Sequence, residues 1–227
     1  MSEPLGGVEI SLEARAALAL ELREANVRNV MVMRAIELVP RALFAPYRFR
    51  DLASRNISLP IGCGQTMPAA ADIARRIDSL NLNPGCRVLE VGTGSGYAAT
   101  IMSLLAAEIE SVERFETLTI AAARRIASLE VANVRVGCGD GFAVSRSAGL
   151  YDRIILHVAV TGAPSPLFEA LKPGGVLAFA RQVPNPKRGG ARARWITVER
   201  RPDGELRETD LGVCRLPMAI AGRAGAL

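Results

Sequence analysis

Arg87-Val-Leu-Glu-Val-Gly-Thr-Gly-Ser-Gly-Tyr97 is the stretch that decides the fold. Val88, Leu89 and Val91 give the continuous apolar run of a strand buried on both faces, as in a parallel sheet covered by crossover helices. Gly92, Gly94 and Gly96 follow at once, where the chain turns tightly and lets a ligand approach the backbone, and Tyr97 opens a helix. A dinucleotide fingerprint G-x-G-x-x-G would place its third glycine at position 97, which is tyrosine. The spacing G-x-G-x-G therefore points away from a nicotinamide dinucleotide and toward S-adenosylmethionine.

Working outward, the apolar pattern alternates strand and helix. Helix is expected over Tyr97–Ala106, strand over Glu108–Val112, helix over Leu118–Leu129 and strand over Val134–Gly137. Strand follows over Asp152–Val158, then a short helix over Leu167–Leu171, and strand over Val176–Ala180 after Lys172-Pro-Gly-Gly175. Trp195–Arg200 and about Asp210–Leu216 supply the last strands. This order predicts an α/β fold, a doubly wound, mostly parallel seven-stranded sheet of the Rossmann-like type. Upstream, Leu12–Glu24 reads as helix with Ser11 as its cap, and a second helix over Val27–Leu38 stops before Pro40. Arg41–Ser58 reads as irregular, Leu59–Pro68 as a shaped loop, and Ala69–Leu80 as a helix with Ile73, Ala74, Ile77 and Leu80 at helical spacing.

The 227 residues fit one α/β domain with an N-terminal extension. The net charge of +5 leaves only mild attraction to anions, because 28 basic residues face 23 acidic ones. One Trp, three Tyr and six Phe offer no aromatic surface for stacking bases, so nucleic acid is not expected as a partner. Cys63, Cys86, Cys138 and Cys214 form no C-x-x-C pair, which argues against a metal site or disulfide framework and for reduced thiols in a cytoplasm. The N-terminus lacks a basic region followed by an apolar run, and no stretch of about eighteen apolar residues occurs, so no membrane partner is expected. Val183–Arg194, with Pro184, Pro186, Gly189, Gly190, Lys187, Arg188, Arg192 and Arg194, reads as an exposed, mobile loop.

In a doubly wound sheet the ligand sits beyond the carboxyl ends of the strands. Glu113 ends the second strand about twenty residues after the glycine turn, where a carboxylate accepts hydrogen bonds from ribose hydroxyls. Asp140, within Gly139-Asp-Gly141, follows the third strand and suits an exocyclic adenine amine. Glu90, inside the first strand, is placed to orient the turn or meet the cofactor's amino group. His157, the sole histidine, falls near the end of a strand facing the crevice and is a candidate base. Each residue alone has an ordinary structural reading; their joint order after successive strands points to an adenosyl cofactor.

The chain resembles the protein-L-isoaspartate O-methyltransferases from about Val30 to Leu216. The carriers are Val39-Pro-Arg-Ala-Leu-Phe44, Leu59-Pro-Ile-Gly-Cys-Gly-Gln-Thr66, Arg87–Tyr97, Ser111-Val-Glu-Arg114, Gly139-Asp-Gly141, Tyr151-Asp-Arg-Ile-Ile155 and Leu171-Lys-Pro-Gly-Gly175. The two early blocks are the more particular to that family. The resemblance implies S-adenosylmethionine as donor, held by Gln65, Glu90, Gly92, Thr93, Gly94, Ser95, Gly96, Glu113, Arg114, Asp140 and Gly141, with the loop around Gln65 closing over its reactive end. It implies a protein or peptide substrate carrying isoaspartyl residues, with residues 1–60 a helical extension and 61–227 the methyltransferase domain. Thr66, Met67, Pro68 and His157 are then the substrate-pocket candidates. The family usually continues Ile-Ser-x-Pro after Gly-Gln-Thr, its serine hydroxyl at the substrate carboxylate; here Met67, Pro68, Ala69 and Ala70 stand there. Cys63 replaces a usual His, and His157-Val-Ala159 a frequent Thr-Ala-Ala. A different acceptor, small molecule or RNA, or a weakly catalytic cofactor-binding homologue stays open on these departures, as does the oligomeric state.

Overall fold

The structure, a computed structural model, describes residues 5–7, 12–143, 150–184 and 191–224. Helix α1 (Leu12–Glu24) has the expected bounds, while its expected cap Ser11 lies outside the described residues. Helix α2 (Val30–Leu38) begins later than the expected Val27. The Asn29 side chain accepts hydrogen bonds from the N–H groups of Met31 and Val32 at 2.9 and 3.4 Å and fixes the start there. The stretch expected to be irregular holds two 3₁₀ turns, Arg41–Leu43 and Tyr47–Leu52. Strands β1 (Leu59–Pro60) and β2 (Thr66–Met67) then pair antiparallel as a small hairpin, and α3 (Ala70–Asp78) follows.

The main sheet contains β3 (Arg87–Val91), β4 (Glu108–Glu113), β5 (Val134–Cys138), β6 (Tyr151–Val160), β7 (Leu171–Pro184), β8 (Ala191–Arg200) and β9 (Leu206–Cys214). Between them lie α4 (Tyr97–Ser103), α5 (Glu116–Ser128) and α6 (Ser165–Glu169). The spatial order is β5-β4-β3-β6-β7-β8-β9, parallel from β5 to β7 and antiparallel through β8 and β9. This is the expected seven-stranded, mostly parallel sheet. Two expectations need correction. Strand β7 starts at Leu171, paired with Tyr151, so Lys172-Pro-Gly-Gly175 forms an irregularity within a long strand and not a turn ahead of it. The ends of the segment read as an exposed loop are ladder: β7 continues through Pro184, β8 begins at Ala191, and the Arg194 Nε donates to Asp210, while residues 185–190 lie outside the described residues. Lys187 and Arg188 lie outside the described residues. Pro184 is tolerated because it sits at the strand's end, where little ladder remains to break.

Period-two alternation divides the interior between the two sheet faces. Val88, Ile155, Ala178 and Trp195 point to one face, where they join Leu22, Ile36, Phe44, Ile77, Tyr97 and Ile101 from the helices and turns before and after β3. Leu89, Ile154, Leu156, Leu177 and Phe179 point to the other, with Leu167 of α6. The order in which the chain adds strands reverses beside β3, which has β4 on one side and β6 on the other, both parallel to it. Such a switch point leaves a crevice at the carboxyl ends of the strands. No helix among the described residues is long and apolar enough to cross a membrane.

Candidate functional site

A cavity of about 370 Å³ opens at that switch point. It is bounded by the ends of β3, β4 and β6, the turn after β5, the β1–β2 hairpin, α3 and the segment after β9. Of the fifteen residues singled out from sequence, all but Glu90 and Gly96 line it.

The glycine turn does two separate jobs. Gly92 and Gly94 have φ of 96° and 56°, a left-handed region that costs a side chain, and both line the cavity. Gly96 (φ 88°) faces away: a methyl group there would meet Ala122 and Ile126 of α5 at 3.3 Å. The missing side chain allows close helix packing, and this expected ligand contact is not part of the cavity lining. Thr93 and Ser95 are buried at the cavity wall. Glu113 is 5% exposed, and its two carboxylate oxygens accept hydrogen bonds from the N–H groups of Gly94 (2.9 Å) and Phe115 (3.0 Å). An ionised carboxylate has about four acceptor positions. Held by two backbone amides, this one keeps capacity for a vicinal diol.

Glu90 does not reach the cavity. It is fully buried in β3, where His157 Nε2 lies 3.0 Å from Oε1 and the Ser111 hydroxyl donates to Oε2 at 2.5 Å. Ser111 in turn lies 2.5 Å from the Thr93 hydroxyl. The parallel register that sets Val91 beside Leu156 brings His157 next to Gly92, so the imidazole lines the cavity while Glu90 fixes it from behind. Glu90 thus acts on the site through His157 and the glycine turn.

Past β5, a methyl group on Gly141 would overlap the Val91 side chain, so glycine permits close packing at this part of the cavity wall. Asp140 accepts from the Phe142 N–H at 2.9 Å and from the Gly222 N–H at 2.7 Å. Arg114 Nε donates to the Gly222 carbonyl oxygen at 3.2 Å. The chain after β9 therefore crosses the site as a strap. Ala159 and Ala219 tie it to β6, through Ala159 N–H to the Pro217 oxygen and Ala219 N–H to the Ala159 oxygen, both 2.7 Å. The last strand, expected over about Asp210–Leu216, runs over Leu206–Cys214, and the strap that follows it carries no alternation and is tied by main-chain groups at Pro217, Ala219 and Gly222.

The opposite wall is the hairpin. Cys63 (φ 57°) and Gly64 (φ 65°) sit at its tip, and the left-handed pair closes it tightly. Ile61 packs toward Gly94, which joins this loop to the glycine turn. Gln65 lines the cavity and its amide donates to the Cys63 carbonyl oxygen at 3.2 Å. Thr66, Met67 and Pro68 continue the wall, with Met67 buried. Behind them, buried Arg41 donates to the carbonyl oxygens of Ala53, Arg55, Ile57, Met67 and Pro68 at 2.7 to 3.4 Å. Burial lowers its pKa from the ordinary arginine value, offset in part by Tyr97, yet arginine stays a cation.

Sequence reasoning missed two neighbours on α3, Asp72 and Arg76, which also line the cavity. Arg75 and Arg76 are adjacent in the sequence. At about 100° per residue, though, Arg76 falls about 60° from Ile73 and Arg75 about 160° away. The wheel could have placed Arg76 beside the apolar arc; it is 5% exposed, whereas Arg75 is exposed.

The family model for Protein-L-isoaspartate(D-aspartate) O-methyltransferase matches residues 13–214. A protein-L-isoaspartate O-methyltransferase 2 of Rhodopseudomonas palustris is 42% identical over 208 residues, covering 92% of this chain and 93% of its own. A protein-L-isoaspartate O-methyltransferase of Azorhizobium caulinodans is 38% identical over 213 residues, covering 94% and 95%. A solved protein-L-isoaspartate O-methyltransferase superposes with a TM-score of 0.77 at 26% identity, over 91% of this chain and 66% of that one. A Plasmodium falciparum structure in complex with S-adenosyl-L-homocysteine has a TM-score of 0.76 at 17% identity, over 90% and 97%, which bears on the fold alone.

Proposed function

The chain belongs to the protein-L-isoaspartate(D-aspartate) O-methyltransferase family, and from that premise we propose that it methylates the free carboxylate of isoaspartyl residues in damaged proteins, using S-adenosylmethionine. The observation that carries this reading is one continuous cavity walled on one side by Glu113 and the glycine turn and on the other by the Gln65–Pro68 loop. Its volume falls in the range usual for small-molecule sites. The amide-braced Glu113 suits an adenosine: Glu113 would hold the ribose hydroxyls, and Asp140 with Gly141 the adenine.

Bound S-adenosylmethionine supplies an electrophilic methyl group; the acceptor oxygen forms the new O–C bond as the S–C bond breaks and sulfur keeps the electron pair. A carboxylate acceptor is already ionised at neutral pH, so the protein has no proton to remove. Its residues bind, align and exclude water. Alignment of two reactants is worth up to about 7 to 11 kcal/mol of barrier. The Arg41 clamp holds the Met67 and Pro68 backbone, and the hairpin leans on the glycine turn, which fixes the two walls relative to each other. Opposite charges neutralise during transfer, so the dry wall formed by Met67, Ile73 and Ala98 favours it. We place the reaction in the cytoplasm, in keeping with four free cysteines, and read residues 61–227 as the methyltransferase domain and 1–60 as its extension.

Incubation with labelled S-adenosylmethionine and an isoaspartyl peptide is expected to give a base-labile methyl ester, absent with the ordinary aspartyl peptide. Donor binding without ester would overturn the assignment. A second reading draws on the His157–Glu90 pair at 3.0 Å, which equips the cavity to deprotonate an acceptor hydroxyl. Methylation of a hydroxyl acceptor, lost in His157→Gln and accompanied by no isoaspartyl ester, would favour it.

A further inference from the structure

Position 68 carries no hydroxyl, and besides the neutral donors Ser58 and Thr66 the cavity wall holds a cation, Arg76. Within α3, Asp72, Ile73 and Arg76 share one face by i, i+3 and i+4 spacing, and all three line the cavity. The Arg76 side chain is 5% exposed, and its Nη1 is buried with no hydrogen-bond partner. Among the described residues its Nη2 donates to one acceptor, the Arg215 carbonyl oxygen, at 3.5 Å. The guanidinium also lies over the Trp195 ring, 5.5 Å from its centroid, and Trp195 belongs to a neighbouring cavity of about 390 Å³ that Asp72 and Arg76 line as well, so Arg76 stands between the two cavities. Arg41, of similar exposure, differs in degree: its Nε is unpartnered, but five carbonyl oxygens receive its two terminal nitrogens. A buried cation without such partners is costly unless an anion completes it. Asp72 draws on it electrostatically from the same face, but no ion pair within 4.0 Å joins them.

We propose that Arg76 is the substrate-binding residue for the acceptor carboxylate: its guanidinium turns from the Trp195 ring into the cavity, pairs with one oxygen of the isoaspartyl carboxylate and leaves the other for methyl transfer. The inference rests on the isoaspartyl reading above and names the group that replaces the absent hydroxyl. Charge-assisted pairing of a guanidinium with a carboxylate is strong and directional. It also has a sense in time. The attraction is greatest for the ionised acceptor and is lost once the carboxylate becomes a neutral ester, so Arg76 holds substrate and releases product. Its interaction is made in the ground state, and its removal raises KM more than it lowers kcat.

The test compares wild type, Arg76→Gln and Arg76→Lys by calorimetry with an isoaspartyl peptide and with the same peptide as its carboxyl methyl ester. Arg76→Gln is expected to weaken the acid peptide about ten- to hundredfold while leaving the ester peptide and S-adenosylmethionine unchanged. Arg76→Lys, which keeps the charge but not the planar fork, is expected to fall between the two. Kinetics should place most of the loss in KM. Loss of acid and ester binding alike, or acid-peptide affinity in Arg76→Gln within about twofold of wild type, overturns the inference. If Arg76→Gln fails to fold, a lysine variant with discrimination between acid and ester reduced relative to wild type supports the inference, and one with unchanged discrimination overturns it. Wild type that neither binds nor methylates the acid peptide overturns the isoaspartyl reading and this inference with it; methylation that survives Arg76→Gln unchanged overturns this inference alone.

Discussion

The donor side and the acceptor side of the cavity are built differently. On the donor side each carboxylate is braced by main-chain amides: Glu113 by Gly94 and Phe115, Asp140 by Phe142 and Gly222. On the acceptor side the backbone of Met67 and Pro68 is braced by Arg41, while Pro68 offers no hydroxyl and Arg76 keeps an unpartnered Nη1. One side is complete before its ligand arrives; the other is waiting for a charge. Preorganisation of the first lowers the cost of binding the donor, and incompleteness of the second makes the acceptor's charge the thing it reads.

The largest expected effect breaks the donor side. Glu113→Ala removes the acceptor for the ribose hydroxyls and leaves the Gly94 and Phe115 amides unpaired, so donor affinity should fall about a hundredfold or more, some 3 kcal/mol. Calorimetry with S-adenosylmethionine measures it, and a loss under threefold would show that this brace does not carry the donor. Arg41→Met tests the frame behind the acceptor side. Five carbonyl oxygens lose their donor, and stability should drop by about 3 kcal/mol in denaturant unfolding. A near-neutral result would mean that water or neighbouring amides serve these carbonyls equally well.

Gly141→Ala should cost about 1 to 3 kcal/mol, seen as a fall of roughly 2 to 10 °C in Tm, because Val91 must shift to admit the methyl group. An unchanged Tm would mean this part of the wall is softer than the donor side's other parts. Pro68→Ser should matter least. If Arg76 already holds the acceptor carboxylate, restoring a hydroxyl changes kcat/KM by less than about threefold, under ~1 kcal/mol. A gain of fifty- or a hundredfold would instead show that the acceptor side lacks that hydroxyl and nothing else.

The same division governs what was legible in the sequence. Glu113 and Asp140 follow strands whose period and glycine turn are local patterns, so their convergence could be read from order alone. Gly96 shows the limit of that reading: its spacing marks a tight turn, but only the packing of Ala122 and Ile126 shows that its Cα side is set against α5. Glu90 likewise carries the right charge in the right strand, yet strand alternation and a partner sixty-seven positions away, His157, decide where its carboxylate points. Arg76 was hidden in an Arg-Arg pair whose two members have opposite fates, and the strap from Arg215 to Gly222 has no periodicity to betray it.

That strap is held at both ends by peptide groups. Met218 bridges Ala159, and the Gly222 N–H and carbonyl meet Asp140 and Arg114. Apart from Gly222, whose φ of 78° favours glycine, its fit depends on how many residues span the gap and hardly on which ones they are. It works as a buckle set to one hole: substitutions between Met218 and Gly222 leave it fastened, whereas a single deletion or insertion there slips the Gly222 peptide off Asp140.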